Sequence, residues 1–424
     1  MLKLVLGGSG SGKTTLLYSR IRARAEQGRR SILLVPEQFT SSTEGRIYRE
    51  LGDALSGMVE SYSFTSLAEH ILAIEGGAAV QTLSDAGRAV LVRRALEELQ
   101  DHVHYYYRHR RSAAFCQMAA QTIDELKSAG LSGAQLAELA PDCGPESGKL
   151  SELALIFQGY ETLLAGTGMD PADRLELAAD RLEAALARGE LPDFLREREV
   201  FIDEFDTFNA PKKRLMGAML AALPTVTVAL CDDGAPMVPG DMGRFFPAQS
   251  RWPHSCGSWP AKNGADAAVP ELLRRDLRHK DAPGLAAVTE LLETGTCEVP
   301  PAAPEVRLFA AASREEEARC TAAAIRRLMR QGVRCGKIAV VCRDISLYRA
   351  AVRYEFRMAE IPLYCDEPTT PEFSAPRHGG AGTAGIAAGC GHDRAADRAG
   401  QDRPVRPDRA GGLRAGKLRL HMVA

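Results

Sequence analysis

The sequence predicts an α/β protein built on a parallel sheet with a large helical insertion. Three observations predict it: a strand, glycine-rich loop and helix at the N-terminus, a helical pattern from about residue 43 to 188, and a second βαβ pattern after residue 304. Strands alternating with helices favour a parallel sheet whose faces are covered by the helices. We therefore expect a first α/β domain, an incomplete second α/β domain and a disordered tail.

The first domain is expected over residues 1–235, with its sheet in 1–42 and 195–235 and the helical insertion in 43–190. Short apolar stretches predict strands at 3–6, 31–35, 200–205 and 225–230. Helical periodicity predicts helices at 13–27, 65–75, 84–99, 112–129, 151–165 and 172–188.

After residue 235 the composition changes, first to a segment rich in Pro and Gly and then back to strand and helix patterns. Residues 236–304 are rich in Pro and Gly and predict an irregular connector, with helices around 269–278 and 284–293. Residues 305–375 predict the partial second domain, with strands at 306–309, 337–342 and 361–365 and helices at 313–331 and 346–358.

Residues 376–424 are dominated by Gly, Ala and Arg, and their apolar periodicity disappears. Such a segment buries too little surface to offset its ordering entropy, so we expect no fixed fold. We interpret it as a frameshifted or otherwise unnatural end of the reading frame. The alternative is a native Arg- and Gly-rich tail that binds nucleic acid.

The composition excludes several classes of protein. The 424 residues include 53 Lys and Arg and 55 Asp and Glu, a formal net charge of −2 that argues against a general polyanion binder. No apolar run approaches the roughly 18 residues of a membrane span, and the start lacks a signal-peptide pattern. The ten cysteines include no Cys-x-x-Cys pair. We expect a cytoplasmic protein with reduced thiols.

A phosphate loop is the strongest motif. Residues 7–14 match G-x-x-x-x-G-K-[ST] between a predicted strand and a predicted helix. Glycines allow backbone N–H groups to converge on phosphates, and the helix N-terminus adds partial positive charge. Lys13 can reach the β- and γ-phosphates and the Thr14 hydroxyl can bind Mg²⁺. The predicted ATP-binding residues are Gly7, Gly8, Ser9, Gly10, Ser11, Gly12, Lys13, Thr14 and Thr15; the alternative is a glycine-rich turn without a ligand.

A second motif follows the strand at 200–205. Asp203 is a candidate Mg²⁺ ligand, and Glu204 is a candidate catalytic group that polarises the attacking water. The alternative is a solvated strand end, because acids after an apolar strand are common. Since carboxyl ends of parallel strands meet at one edge of a sheet, we expect Asp203 to lie close to Thr14 despite their separation in sequence.

Together these residues resemble the UvrD-like superfamily 1 helicases and, more closely, the AddB (RexB) family. The resemblance implies a P-loop NTPase (RecA-like) first domain and an incomplete second RecA-like α/β domain. The resemblance covers about residues 1–375. It rests on 4–15, 35–40 (Val-Pro-Glu-Gln-Phe-Thr), 61–67 with Gly76 and Gly77, 201–208, 313–317, 337–344 with Tyr348, and 361–367 (Ile-Pro-Leu-Tyr-Cys-Asp-Glu). The Pro-Glu-Gln and Ile-Pro…Asp-Glu stretches point to AddB, whereas many families share the phosphate loop.

The resemblance implies an ATP-binding subunit of a heterodimeric helicase–exonuclease that processes double-strand breaks for homologous recombination. Its implied partners are an AddA-like helicase–nuclease subunit and DNA, both double-strand ends and single strands. The family carries a C-terminal nuclease domain with an iron–sulfur cluster, but no nuclease motif or clustered cysteine set occurs in this sequence. We therefore expect neither here, and whether ATP is hydrolysed or only bound stays open. A nucleotide-binding scaffold without catalysis and an unrelated P-loop kinase or transferase are the alternatives.

Candidate DNA contacts occur in two places. Tyrosines beside arginines at 105–111 could stack on bases and meet phosphates, or form a basic helix face with tyrosines packed beneath it. The candidates there are Tyr106, Arg108, Arg110 and Arg111. Phe39 and Thr40 follow the second strand, where the resemblance implies contact with single strands.

Overall fold

The computed structural model describes residues 1–77, 82–232, 266–298, 300, 302–365 and 421–423. The chain divides into two compact units, Met1–Glu305 and Val306–Ala424. No helix among the described residues is both long and apolar enough to cross a membrane.

A six-stranded sheet with parallel pairing throughout forms the centre of the first unit. Its strands are β1 (Leu2–Gly7), β2 (Ser31–Leu34), β3 (Val59–Tyr62), β4 (Glu199–Ile202), β5 (Thr225–Cys231) and β6 (Glu271–Leu273). The strand order is β3-β2-β4-β5-β1-β6. Because all strands are parallel, the carboxyl ends of β1 and β4 open at the same edge of the sheet, with β5 between them.

Helices cover both faces of this sheet. In chain order the first unit contains α1 (Lys13–Glu26), α2 (Thr40–Leu51), α3 (Asp53–Ser56), α4 (Phe64–Glu75), α5 (Asp85–Glu98), α6 (Ala113–Ser128), α7 (Gly133–Leu139), α8 (Ser147–Ala165), α9 (Pro171–Arg188), α10 (Ala210–Ala222) and α11 (Pro283–Thr294). Successive residues of a strand point to opposite faces of the sheet: Val5 packs with α1 and α2, whereas Leu4 and Leu6 pack with α4, α9 and α10. Because both faces are buried, the strand sequences are nearly continuous apolar runs.

The helical insertion has a core of its own. Val92 of α5, Ile123 of α6 and Phe157 of α8 are fully or almost fully buried in one apolar cluster. A polar contact ties this bundle to α9: the Lys127 ammonium donates to Asp170 and Asp173 at 2.8 Å. Helices α5, α6 and α8 therefore share an apolar core, and a largely buried ion pair joins α6 to the start of α9.

The second unit contains α12 (Arg314–Arg330), β7 (Ala339–Val341), α13 (Arg349–Met358) and β8 (His421–Val423). Helices α12 and α13 bury Ile325 and Phe356 against each other. The Tyr348 hydroxyl donates to Glu317 Oε2 at 2.7 Å. Strands β7 and β8 pair antiparallel.

Several predicted elements of the first unit need correction. Residues 59–62, which form β3, were expected to be helical. Their apolar and polar residues alternate only weakly, and it is the pairing with β2 that makes them a strand. The helix expected at 269–278 is wrong, since 271–273 form β6 beside Val5–Gly7. The strand expected at 200–205 ends at Ile202. Segment 236–304 contributes β6 and α11, and residues 233–265 lie outside the described residues.

The second unit also departs from expectation. Residues 306–309 and 361–365 form no strand with any described residue, and Leu308 and Tyr364 are largely exposed. A strand needs a paired neighbour, and the sequence pattern alone does not supply one. Of the tail expected to lack a fold, 421–423 form a strand, contrary to that expectation, and the remainder lies outside the described residues.

Candidate functional site

The phosphate loop joins β1 to α1 through two glycines with positive φ. Gly10 has φ 79° and Gly12 has φ 90°, a left-handed region that only glycine adopts at no steric cost. Gly12 precedes α1, and its carbonyl accepts the Leu16 N–H at 2.9 Å. The glycine pattern in the sequence therefore corresponds to a backbone turn directly at a helix N-terminus.

The loop encloses a narrow space. A Cβ on Gly7 would lie 2.5 Å from Ser11 Oγ, and one on Gly8 would lie 2.5 Å from Glu293 Oε1. The Ser11 hydroxyl is buried and has no hydrogen-bond partner within the described ranges. Glycines at these positions leave no side chain between the backbone and a ligand. The Ser11 hydroxyl, without a partner among the described residues, is available to hydrogen-bond a polar ligand.

Lys13 folds back over this loop. Its ammonium donates to the Gly7 carbonyl at 2.8 Å and to the Gly8 carbonyl at 2.7 Å. These two neutral acceptors are weaker partners for an ammonium than phosphate oxygens are. Lys13 is thus held at the loop by bonds that a stronger anion can replace.

Asp203 lies at the carboxyl end of β4, as the parallel sheet predicts. Its N–H donates to the Leu34 carbonyl at 3.0 Å, which anchors it beside β2. Asp203 is buried, lies with Thr14 in the lining of one cleft, and its carboxylate accepts the Glu204 N–H at 2.9 Å. Burial raises the pKa of the Asp203 carboxyl, while the neighbouring Thr14 hydroxyl and the Lys13 charge oppose the rise. The expected proximity of Asp203 and Thr14 is therefore observed.

Glu204 adopts a strained backbone next to this carboxyl. Its φ is 66°, which is uncommon for a residue with a side chain and frequently found at functional sites. Its carboxylate lies 3.7 Å from an Arg46 guanidinium nitrogen. Burial and the neighbouring Asp203 charge raise the pKa of Glu204, whereas Arg46 opposes that rise. Arg46 also lies over the Tyr18 ring, 5.0 Å from its centroid.

These groups line one open cleft of about 730 Å³. Among its lining residues, sequence reasoning missed Arg46 from α2, and Leu277 and Arg278 from the segment after β6. The Leu277 N–H donates to the Gly10 carbonyl at 3.0 Å, and an Arg278 guanidinium nitrogen lies 3.5 Å from Ser9 Oγ. No spacing in the sequence marks them, because they reach the loop only through the tertiary fold.

The residues present fit a nucleotide with a divalent cation. The cleft combines a glycine cradle and an ammonium with Thr14 and Asp203, both oxygen donors suited to Mg²⁺. In the part of the chain that the structure describes, no group of three or more His, Cys, Asp or Glu side chains could hold a metal ion. A cation bound at Thr14 and Asp203 would therefore need further oxygens from its ligand or from water.

The candidate DNA contacts at 105–111 lie in a loop and a short 3-10 turn rather than on a helix face. Tyr106 stacks on Phe115, with ring centroids 5.6 Å apart, so this tyrosine is engaged inside the bundle. The Arg110 guanidinium lies 3.8 Å from the Tyr107 ring centroid. Arg108 and Arg111 are exposed, whereas Tyr106 and Arg110 are partly buried, so the two exposed arginines are the more available of the four candidates.

A buried carboxylate sets the shape of this loop. Glu152 of α8 is 7% exposed and accepts the N–H groups of His104, Tyr105 and Tyr106 at 2.8–3.3 Å. Near β2, Phe39 is 37% exposed and the Thr40 hydroxyl donates to the Glu37 carbonyl at 2.8 Å. The loop at 104–106 is therefore held by a carboxylate from a distant helix, whereas the turn at Phe39 and Thr40 has a bond within itself.

Known proteins resemble this chain over most of its length. The sequence profile of the family described as "ADDB, N-terminal" matches residues 4–288. The chain is 31% identical over 384 residues to the B subunit of the ATP-dependent helicase/deoxyribonuclease of Moorella thermoacetica, covering 86% of this chain and 32% of that protein. The protein of the same name from Symbiobacterium thermophilum is 30% identical over 391 residues, covering 87% of this chain and 32% of that protein.

A third relative of that name, from Clostridium perfringens, is 26% identical over 374 residues, covering 86% of this chain and 32% of that protein. The chain spans about a third of the length of these curated relatives. Their name, which designates one of several subunits, implies that those proteins work with another subunit. The profile match over more than half of the residues shows that this chain belongs to the AddB family, through its N-terminal domain.

Proposed function

We propose that this chain is the nucleotide-binding N-terminal part of a helicase–deoxyribonuclease subunit, and that residues 7–15 bind ATP with Mg²⁺. The observation that carries the proposal is the meeting of Lys13, Thr14 and Asp203 at one end of the parallel sheet. Ligands bind at the carboxyl ends of strands in such sheets. The separation of β1 and β4 by one strand supports a RecA-like P-loop domain.

The proposed roles follow from the chemistry of each group. The loop N–H groups and the Lys13 ammonium hold phosphate oxygens, and Thr14 and Asp203 supply oxygens to Mg²⁺. The bound cation would neutralise phosphate charge. Glu204 is the proposed group that orients or deprotonates water. Arg46 faces its carboxylate and keeps Glu204 closer to the ionised form that this role requires.

We further propose an AddA-like partner subunit and DNA as the wider context, with a role in processing double-strand breaks in the cytoplasm. The support is family membership and the names of the relatives, which join helicase and deoxyribonuclease activities in one protein. Exposed Arg108 and Arg111 are the proposed phosphate contacts of the insertion. Phe39, an exposed aromatic side chain after β2, is a proposed stacking contact.

Calorimetric titration with ATP and Mg²⁺ tests the nucleotide site. We expect binding by the unmodified chain and affinity about 10- to 100-fold lower in Lys13→Ala, because one charge-assisted contact contributes about 1.5–3 kcal/mol. Lys3→Ala is the matched control, because Lys3 lies in β1 and is absent from the cleft lining. Equal affinities for the unmodified chain and Lys13→Ala would contradict the assignment.

A further inference from the structure

A carboxylate of the chain itself lies against the phosphate loop. Glu293, in the last turn of α11, accepts the Ser9 N–H through Oε1 at 3.1 Å. Both of its carboxylate oxygens approach Gly8 so closely that an added Cβ would lie 2.5 and 2.7 Å from them. The contact joins residues 284 positions apart in sequence, so it is a product of the tertiary fold.

The position of this carboxylate has a chemical consequence. Backbone N–H groups of a phosphate loop attract anions, and Glu293 supplies one from within the chain. Lys13 is engaged at the same time with the Gly7 and Gly8 carbonyls. Two groups that would serve phosphates, the Ser9 N–H and the Lys13 ammonium, are therefore both satisfied internally.

Helix α11 is lightly packed around this contact. Leu291 is 47% exposed and Leu292 is 55% exposed, so the end of the helix buries little apolar surface. Elements with few buried apolar contacts open at low free-energy cost. The last turn of α11 can thus move away from the loop without disrupting the sheet.

We propose that Glu293 is a built-in competitor for nucleotide phosphates, displaced together with the last turn of α11 when nucleotide binds. The inference rests on the proposed nucleotide site and adds a residue that lowers its affinity. Helix α11 is then part of the site, and the position of its last turn depends on whether nucleotide is bound. The bound phosphates take the Ser9 N–H, and the repulsion between like charges moves the carboxylate away.

Fluorescence titration with a methylanthraniloyl derivative of ATP, in Mg²⁺, tests this competition. We expect Glu293→Gln to bind about tenfold more tightly than the unmodified chain, because glutamine has no charge and makes a weaker bond to the Ser9 N–H. Glu298→Gln is the matched control, since Glu298 is an exposed glutamate beyond α11 and is absent from the cleft lining. Its affinity should equal that of the unmodified chain.

Hydrogen exchange gives an independent readout. Saturating nucleotide should raise amide exchange in residues 290–294 of the unmodified chain, because the last turn of α11 loses its contact with the loop. Equal or weaker binding by Glu293→Gln, with the unmodified chain binding normally, would overturn the competitor role and leave the nucleotide site intact. Absence of binding by all three proteins would overturn the proposed function itself, and the competitor role with it.

Discussion

Replacement of Glu152 by glutamine is expected to destabilise the helical insertion and loosen the loop at 104–111. The carboxylate accepts four N–H contacts from three consecutive residues, two through each oxygen. Glutamine keeps one oxygen and turns an NH₂ group toward the remaining donors. Losing the charge assistance at one oxygen and the acceptor at the other should cost about 2–4 kcal/mol of the free energy of unfolding.

Urea unfolding of the full chain, followed with hydrogen exchange at residues 104–106, measures this effect. Exchange of these amides should rise in Glu152→Gln, since they lose their buried acceptor. Glu161→Gln is the matched control: Glu161 lies on the same helix and accepts the Gly133 N–H at 3.3 Å, a single longer bond. It should cost less than about 1 kcal/mol. Unchanged protection at 104–106 in Glu152→Gln would refute the view that this carboxylate shapes the loop.

Three further predictions concern the cleft. Burial raises the pKa of Asp203, so its charge destabilises the fold and stability falls as pH rises through that pKa; Asp203→Asn should raise the melting temperature at neutral pH without Mg²⁺, with a smaller gain in acid, and a lower melting temperature at neutral pH would contradict this. Gly12→Ala and Gly28→Ala, at φ 90° and 73°, should each lose about 1–2 kcal/mol of stability, but calorimetry should show weaker ATP binding only for Gly12→Ala; a matching loss in Gly28→Ala would refute the cradle. Arg46→Ala should raise the pKa of Glu204 further, since Arg46 opposes its rise. NMR titration of the Glu204 carboxyl measures this pKa, and a lower pKa in Arg46→Ala would contradict the prediction.

Local patterns were enough to predict the part of the site that depends on neighbouring residues. The spacing of the glycines at 7–12 predicted a loop between strand and helix, and the structure has positive φ there at Gly10 and Gly12, which glycine adopts freely. The apolar run before Asp203 indicated a strand that delivers this acid to the sheet edge. Parallel pairing then brought Asp203 to Thr14, a step that follows from topology rather than from distance in sequence.

Contacts made by distant segments could not be predicted in the same way. Arg46 and Glu293 lie on helices whose sequences carry no motif, and each reaches the site through the packing of its helix. Strand β6 contains Glu-Leu-Leu, a pattern equally typical of a helix, and its pairing with β1 decides its conformation. In the 105–111 loop, the buried carboxylate of Glu152 outweighs the local helical pattern by binding three consecutive N–H groups.

We propose that Thr14 and Asp203 share one divalent cation beside a triphosphate held by the phosphate loop. A crystal structure of the chain with a non-hydrolysable ATP analogue and Mn²⁺ tests this proposal, because anomalous scattering locates the metal. We expect Mn²⁺ within coordination distance of both the Thr14 hydroxyl and the Asp203 carboxylate, with phosphates along residues 8–14. Analogue bound elsewhere, or Mn²⁺ away from both side chains, would contradict it.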